Sequence, residues 1–377
     1  MEMDTFSSED RARIEAQGLT VEEVKRQAAL LRNPPPAATL LRPCTAGDGI
    51  VRIEEGEHAK LLALADEAAG AGRLSKFVPA SGAASRMFDF LRSGDPDQPD
   101  VRRFRENASS FAFDAGDLQA LLALPKGLLP FHRYAGAVRT PFEEHLVEAA
   151  ETVRDAAGVC RVHVTVSPGH RAAFEAVLRQ ARPRLERETG ARFEVRFSEQ
   201  APSTDTVAID ETGRLFRDSE GRLLFRPGGH GALLKNLAES GGDVVLVKNI
   251  DNVVPDDLRA PTLLWKRLLS GLLVQIERTS RRDRPLRACG VVRNEGEPGG
   301  GPFWVQGPGG ETRQIVESAQ VDLANPAQAA IWSAATHFNP VDLACTLRDA
   351  SGRPFDLPRF VDERAVFIAK KTHEGRT

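Results

Sequence analysis

The stretch Lys76-Phe-Val-Pro-Ala-Ser-Gly-Ala-Ala-Ser-Arg86-Met87 decides how the chain reads. It predicts the end of an apolar strand, a run of the smallest side chains, one arginine, and an amphipathic helix starting near Phe88. A strand, a small-residue turn and a helix N-terminus together make an anion site. Small residues let the backbone approach phosphate oxygens, N–H groups at the helix start point at them, and Arg86 adds a fixed charge. The same turn also suits plain tight packing of a helix on a strand, so its meaning depends on its surroundings.

Upstream, Thr20 can cap a helix whose first turn carries Glu22 and Glu23, and Asn33-Pro-Pro-Pro36 stops it. Gly49–Ile53 reads as a short strand and Glu57–Ala69 as a second helix, closed by Gly70-Ala-Gly72. Residues 1–72 are therefore expected to form an N-terminal helical extension. Downstream, the polar and charged piece over residues 91–123 interrupts the pattern and reads as a lid-like insertion. A helix from Arg139 to about Ala156, a strand at Cys160–Ser167, a helix at Arg171–Thr189 and a strand at Phe193–Phe197 follow. That alternation predicts a mostly parallel α/β sheet. Asp243-Val-Val-Leu-Val-Lys-Asn-Ile-Asp-Asn252 is a buried strand whose carboxyl end carries Lys248, Asn249, Asp251 and Asn252. Ligands of open α/β sheets bind outside the carboxyl ends of strands, which makes these candidates for chemistry. Asp251 and Asn252 could equally cap the next helix, Leu258–Glu277. A core domain over residues 73–345 and a C-terminal segment over 346–377 complete the expected organisation.

The 377 residues carry a formal net charge of −3, with 41% apolar residues, which fits a globular chain rather than a broad nucleic-acid footprint or a polybasic membrane surface. No apolar run approaches the roughly 18 residues of a spanning helix. The acidic, polar start argues against a secretory signal, so a cytoplasmic location is expected. Cys44, Cys160, Cys289 and Cys345 are scattered without CxxC spacing, as reduced core thiols would be. No Ser-His-Asp or Cys-His constellation stands out. Glu295 and Glu297 beside Phe303 and Trp304 suggest a carbohydrate platform with an aromatic face.

Several short motifs occur in a set order. Pro79-Ala-Ser-Gly-Ala-Ala-Ser-Arg-Met87 resembles the LxGGxGTRL loop of the nucleotide-diphospho-sugar transferases, most closely the UDP-sugar pyrophosphorylases. Pro125-Lys126-Gly-Leu-Leu-Pro130 resembles their lysine segment, and Thr140–Leu146 the helix start after it. Gly228-Gly-His-Gly231 looks like their base-contact loop and Ile250-Asp251-Asn252 like their VDN metal site. Phe338-Asn339 sits where that family carries an FN segment. Glu295-Gly-Glu-Pro-Gly with Ile315-Val-Glu317 resembles their sugar-binding pair. The blocks PASGAASRM, RPGGHGALL, KNIDN and NEGEPGGGPFW are also similar to the bacterial DUF4301 proteins.

The resemblance implies a GT-A-like nucleotide-diphospho-sugar transferase fold and a Mg²⁺-dependent nucleotidyltransferase. A sugar 1-phosphate or similar phosphorylated acceptor would attack a nucleoside triphosphate and release pyrophosphate. It assigns Arg86 and Lys126 to catalysis, and Ser81, Gly82, Ala83, Ser85, Gly228, Gly229, His230 and Gly231 to the nucleotide. Asp251 and Asp342 would hold the metal; Asn294, Glu295, Glu297, Glu317 and Asn339 would face the sugar. Ala84 stands where the family loop carries a glycine. Two alternatives stay open: a GT-A-type glycosyltransferase, which the Arg86 and Lys126 charges, suited to a triphosphate, disfavour, and a non-catalytic nucleotide or sugar-nucleotide binder. Nucleic acid and membrane are not expected as partners.

Overall fold

Three apolar runs and one alternating run become parallel strands: β1 (Leu74–Pro79), β2 (Val159–Val166), β3 (Arg192–Glu199) and β4 (Val244–Lys248). They were obtained as part of a computed structural model that describes residues 5–82, 87–88, 90–91, 95, 97–113, 121, 123–296 and 299–371. Two short strands, β5 (Arg287–Cys289) and β6 (Asp342–Thr346), complete a six-stranded sheet in the order β5-β6-β4-β1-β2-β3. Only β6 runs against the others, because it is antiparallel to both β4 and β5. The sheet is thus mixed and mostly parallel, as the alternation of elements predicts.

The strand order carries the functional consequence. From β1 the chain winds outward through β2 and β3, then returns to β4 on the other side of β1. The loops leaving β1 and β4 therefore diverge, and the crevice between them is the topological switch point where open α/β sheets bind ligands.

Alternate residues of these buried strands feed two layers. On one face, helices α1 (Glu55–Gly70), α2 (Pro141–Thr152), α3 (Arg171–Thr189) and α5 (Arg259–Thr279) cover a core containing Leu74, Val78, Leu146, Phe174 and Leu246. Helices α1 and α5 touch at Gly271, where a Cβ would sit 1.9 Å from the Leu61 carbonyl oxygen, so only glycine permits the approach. Helix α2 starts at Thr140 through a reciprocal cap with Glu143, as the Thr-Pro-Phe-Glu pattern dictates. On the other face, α4 (Leu234–Glu239) and the turn Leu357–Phe360 pack over Phe77, Val245, Val247 and Cys345.

The remaining segments attach at the margins. Helices Ser8–Ala16 and Val21–Arg32 pack Ile14, Val24 and Ala28 against Val207, Leu223 and Phe225 of a small hairpin. Strand Leu40–Pro43 pairs with Gly301–Gly307, which pairs in turn with Gly310–Val316. Residues 5–72 therefore contribute to three places in the fold. The strand expected at Gly49–Ile53 is brief: Gly49–Ile50 pairs with Thr45–Ala46, short of the five residues the sequence suggests. In the 91–123 segment, Phe104, Phe111 and Phe113 stack with centroids 4.9 to 6.4 Å apart and join Phe88 over Leu129. Among the described residues no helix is long and apolar enough to cross a membrane. Cys44, Cys160 and Cys345 are buried and unbridged, and burial pushes the Cys160 and Cys345 thiols up to about 12.

Candidate active site at the switch point

The turn after β1 meets a lysine and an aspartate from distant parts of the chain. Ala80 continues the strand by donating to the Thr165 carbonyl at 2.7 Å, and Ser81 and Gly82 then leave the sheet. The Lys126 N–H donates to the Gly82 carbonyl at 3.1 Å, docking the Pro125–Leu129 turn on the small-residue turn. The Lys126 Nζ donates to Asp251 Oδ2 at 2.7 Å, with both side chains partly exposed. Three expected site elements thus share one corner of the crevice. Arg86, Ala83 and Ser85, the rest of the turn assigned to phosphate, lie outside the described residues, as does Glu297.

Gly127 explains how Lys126 reaches Asp251. A Cβ there would approach Phe174 to 2.8 Å and Ile250 to 2.9 Å, so the turn lies directly on the β4 loop only because the residue is glycine. Gly127→Ala is expected to cost roughly 1–3 kcal/mol through overpacking. A chemical denaturation midpoint equal to that of the unsubstituted chain would show that this contact yields freely.

The β4 loop is held from two sides. His145 Nε2 lies 3.0 Å from the Asn249 carbonyl and 3.2 Å from that of Ile250, and since carbonyls only accept, this nitrogen carries the proton. Burial, reinforced by the Lys76 ammonium, keeps the imidazole pKa well below its ordinary value, so the ring is neutral. Across the crevice, Asn252 Nδ2 donates to the Pro340 carbonyl at 3.1 Å, tying Asp251 to the loop before β6.

That second loop is organised by Asn339. Its Nδ2 donates to the Gly290 and Asp342 carbonyls, and its Oδ1 accepts from the Val341 N–H at 3.0 Å. Val341 has φ +55°, an uncommon left-handed conformation for a β-branched residue. The Asn339 side chain, expected to face a sugar, is buried and fully engaged in its own loop. Asp342, expected as a second metal ligand, is ion-paired with the buried Lys266 of α5.

The other sugar-side residues gather around the same loop. The Asn294 N–H donates to the Thr336 carbonyl at 3.0 Å, and Asn294 and Glu295 are exposed. Glu317 is half-buried behind Gly300, whose carbonyl accepts from the Asn339 N–H at 2.8 Å. The aromatic platform takes a different form from the one expected. Phe303 is fully buried and stacks on Trp332 with centroids 5.2 Å apart. Trp304 donates its Nε1–H to Asp48 at 2.9 Å and is covered by the Arg42 guanidinium 4.7 Å from its ring centroid. Neither ring is free to stack on a sugar, because strand alternation sends one inward and the other onto a charged cluster.

Gly228–Gly231 lies at the same sheet edge but farther along, beyond the end of β3. Gln200 Nε2 donates to the Gly228 carbonyl at 3.2 Å, and Asn236 Nδ2 of α4 ties down the Glu199 carbonyl at 2.9 Å. A Cβ on Gly228 would lie 2.5 Å from the Thr204 carbonyl oxygen, so the first glycine is demanded by packing. His230 is exposed, with Phe367 as a ring neighbour at 6.0 Å. The edge thus holds Gly82, Lys126 and Asp251 at its centre, the Asn339–Asp342 loop on one flank and Gly228–Gly231 on the other.

The match that decides the family covers almost the whole chain: the model described as Domain of unknown function (DUF4301) matches residues 7–122, 117–282 and 278–377. The chain belongs to the DUF4301 family. Comparison with curated protein sequences finds no match. Among solved structures, this DUF4301 chain is similar to the uridine diphosphate N-acetylglucosamine pyrophosphorylase of Trypanosoma brucei, at TM-score 0.52 and 18% identity, covering 90% of this chain and 62% of that one. The UDP-glucose pyrophosphorylase of Leishmania major, solved with UDP-glucose, aligns at TM-score 0.48 and 14% identity, over 91% of this chain and 64% of that one. The DUF4301 chain therefore spans a little over three-fifths of the length of these neighbours. At such identity the first likeness shows the fold: a mixed α/β architecture of UDP-sugar pyrophosphorylase type.

Of the side chains beneath this edge, sequence reading singled out Lys248 and passed over the rest. Lys76, Lys248, Lys266 and Glu148 are all buried. The available signal was a lysine inside an apolar strand and a helix, Glu143-Glu-His-Leu-Val-Glu148, whose charged residues occupy every face.

Proposed function

We propose that this DUF4301 chain is a nucleotidyltransferase of GT-A-like architecture. It joins a nucleoside triphosphate to a sugar 1-phosphate, or a similar phosphorylated acceptor, in the cytoplasm. The observation that carries this reading is the Lys126–Asp251 pair docked on the Gly82 turn at the switch point. Residues 1–72 serve as an extension and residues 91–123 as a cover over the crevice.

In this reaction an oxygen of the acceptor phosphate attacks the α-phosphorus. A new P–O bond forms there, the bond to the bridging oxygen breaks, and pyrophosphate leaves with that electron pair. Both partners are anions, so the protein must offset repulsion and hold the atoms in line; it needs no nucleophile of its own. The Ser81–Arg86 turn would hold the β and γ phosphates. Lys126, released from Asp251, would neutralise charge developing around the α-phosphorus. Gly228–Gly231 would face the base, and Asn294, Glu295, Glu297 and Glu317 the sugar, with Asn339 holding the loop beside it.

The donor set suits Mg²⁺, which is bound through one or two carboxylates completed by substrate phosphates and water, and not by an all-protein cage. Asp251 offers the accessible carboxylate; Asp342 stands on the same edge but is occupied by Lys266. Bound there, the ion would neutralise phosphate charge and fix its orientation.

The occupied Asp342 favours a second reading, a nucleotide binder without turnover. Melting temperature measured with nucleoside triphosphates and Mg²⁺ tests both, since a ligand that binds the native state raises it by mass action. The expected result is stabilisation by at least one triphosphate that is lost in Asp251→Ala. Stabilisation without pyrophosphate release over a broad panel of sugar phosphates would favour the binder. No stabilisation by any triphosphate would contradict both readings.

A further inference from the structure

Beneath the crevice lies a cluster of charges in apolar surroundings. Lys76, Lys248 and Asp342 project from adjacent strands β1, β4 and β6 toward the face covered by α2 and α5; Lys248 and Asp342 are direct partners in the ladder. Glu148 of α2 joins the two lysines, accepting from Lys76 Nζ at 2.8 Å and from Lys248 Nζ at 2.6 Å. Lys76 Nζ also donates to the His145 carbonyl at 3.1 Å, and Lys266 of α5 closes on Asp342. Among the described residues the cluster holds three ammonium groups against two carboxylates, and its one imidazole is neutral.

An unmatched charge away from water is costly unless something opposes it. The Lys126–Asp251 pair above is internally balanced, so it does not supply the missing anion. Lys248 is the last residue of β4 and leads directly into the Asp251 loop. Lys76 lies three residues below the end of β1, roughly 10 Å at about 3.3 Å per residue, on the strand that feeds the Gly82 turn. We propose that the surplus ammonium is a built-in countercharge for a phosphate bound at the edge, with Lys76 strengthening anion binding without touching the ligand. This rests on reading that edge as a phosphate site and adds Lys76, Glu148 and Lys266, to which the family resemblance assigns no role.

Lys76 is also the member of the cluster that can lose its charge under mild conditions. Burial pushes its pKa down to about 8, opposed by Glu148 and reinforced by Lys248 and Lys266. The ionisable groups facing it are Glu148 and His145 on α2, Lys248 on β4 and Lys266 on α5, with Asp342 one strand farther on behind Lys248 and Lys266. The folded protein therefore carries the countercharge below about pH 8 and loses it above, and an anion docking at the edge draws the proton back.

The test is the affinity for inorganic pyrophosphate, measured by titration calorimetry from pH 6.5 to 9.5 on the full chain and on Lys76→Met. Methionine keeps the stem and leaves Glu148 paired one-to-one with Lys248. The ratio of the two affinities cancels the ionisation of pyrophosphate itself. Even one unit of ligand charge at this distance, in an effective dielectric of about 20, predicts a ratio of at least about ten-fold at neutral pH. It should shrink toward unity above pH 8. Equal affinities at pH 7 overturn the inference, and so does a loss that stays constant with pH, which a merely structural lysine would give. Pyrophosphate that fails to bind the unsubstituted chain at any pH overturns the phosphate-site reading, and this inference with it. Lys248→Met, which removes one charge from the other end of Glu148, must show a loss of similar size if Lys76→Met does not fold.

Discussion

Lys126→Ala is expected to lower pyrophosphate release by roughly 10²–10³-fold while leaving the chain folded. The lysine is partly exposed, and Asp251, its side-chain partner among the described residues, is partly exposed as well. Removing a partly exposed pair of this kind costs the fold about 1 kcal/mol or less. The loss should therefore appear in kcat and not in the melting temperature. The Lys126 backbone N–H still binds Gly82 in the variant, so the turn stays docked. Lys126→Arg should recover only part of the rate, because a planar guanidinium does not place its charge where an ammonium does. If Lys126→Ala turns over at the unsubstituted rate, the lysine is a solvated turn residue and has no part in chemistry.

The second large effect is on stability. Glu148→Ala leaves the Lys76 and Lys248 ammonium groups buried side by side without their shared carboxylate. Breaking a buried pair by deleting one partner costs roughly 3–5 kcal/mol, and here one deletion strands two lysines. A denaturant titration should show the midpoint falling steeply. The triple variant Lys76→Met, Glu148→Leu, Lys248→Met should regain most of the loss, since no charge is left unpaired. The sign of the pH dependence follows from the same geometry. Burial by itself would raise the Glu148 pKa, but the Lys76 and Lys248 ammonium groups prevail and hold it well below the ordinary carboxylate value. The stabilisation is therefore complete above the unfolded-state value near 4.5 and is lost as the pH falls through the lower folded-state value. A Glu148→Ala chain as stable as the unsubstituted one would mean that water already reaches the cluster.

What could be read in advance divides along the range of the interaction. Strand β4 announces itself through four successive apolar residues, and helix α3 through its periodicity and the left-handed Gly190 that ends it. These are local signals. The position of Lys126 beside Asp251 was legible only through motif order, because the residues are 125 apart and joined by the packing of Gly127. The Lys76–Glu148–Lys248 bridge left almost no trace. A lysine in an apolar strand reads as a strand end until its partner is found, and Glu148 lies 72 residues from one lysine and 100 from the other. The glycines at 299–301 mislead in another way. A run of glycines over Gly296–Gly301 can be read as no more than a flexible hairpin, whereas Cβ atoms on Gly300 and Gly301 would approach Ile315 and Phe303 to 2.7 Å. These glycines serve close packing. Phe303, expected on a sugar-binding face, is inward for the same reason: the strand it occupies buries every residue from Gly301 to Phe303.

Under the proposed function the β1–β4 crevice transfers a nucleotidyl group. The most direct measurement is pyrophosphate release with Mg²⁺ across the common nucleoside triphosphates, each paired with a panel of sugar 1-phosphates, for the unsubstituted chain beside Lys126→Ala and Asp251→Ala. The expected release requires both substrates, favours one base, and falls at least about a hundred-fold in each variant. Release that persists unchanged in both variants would contradict it.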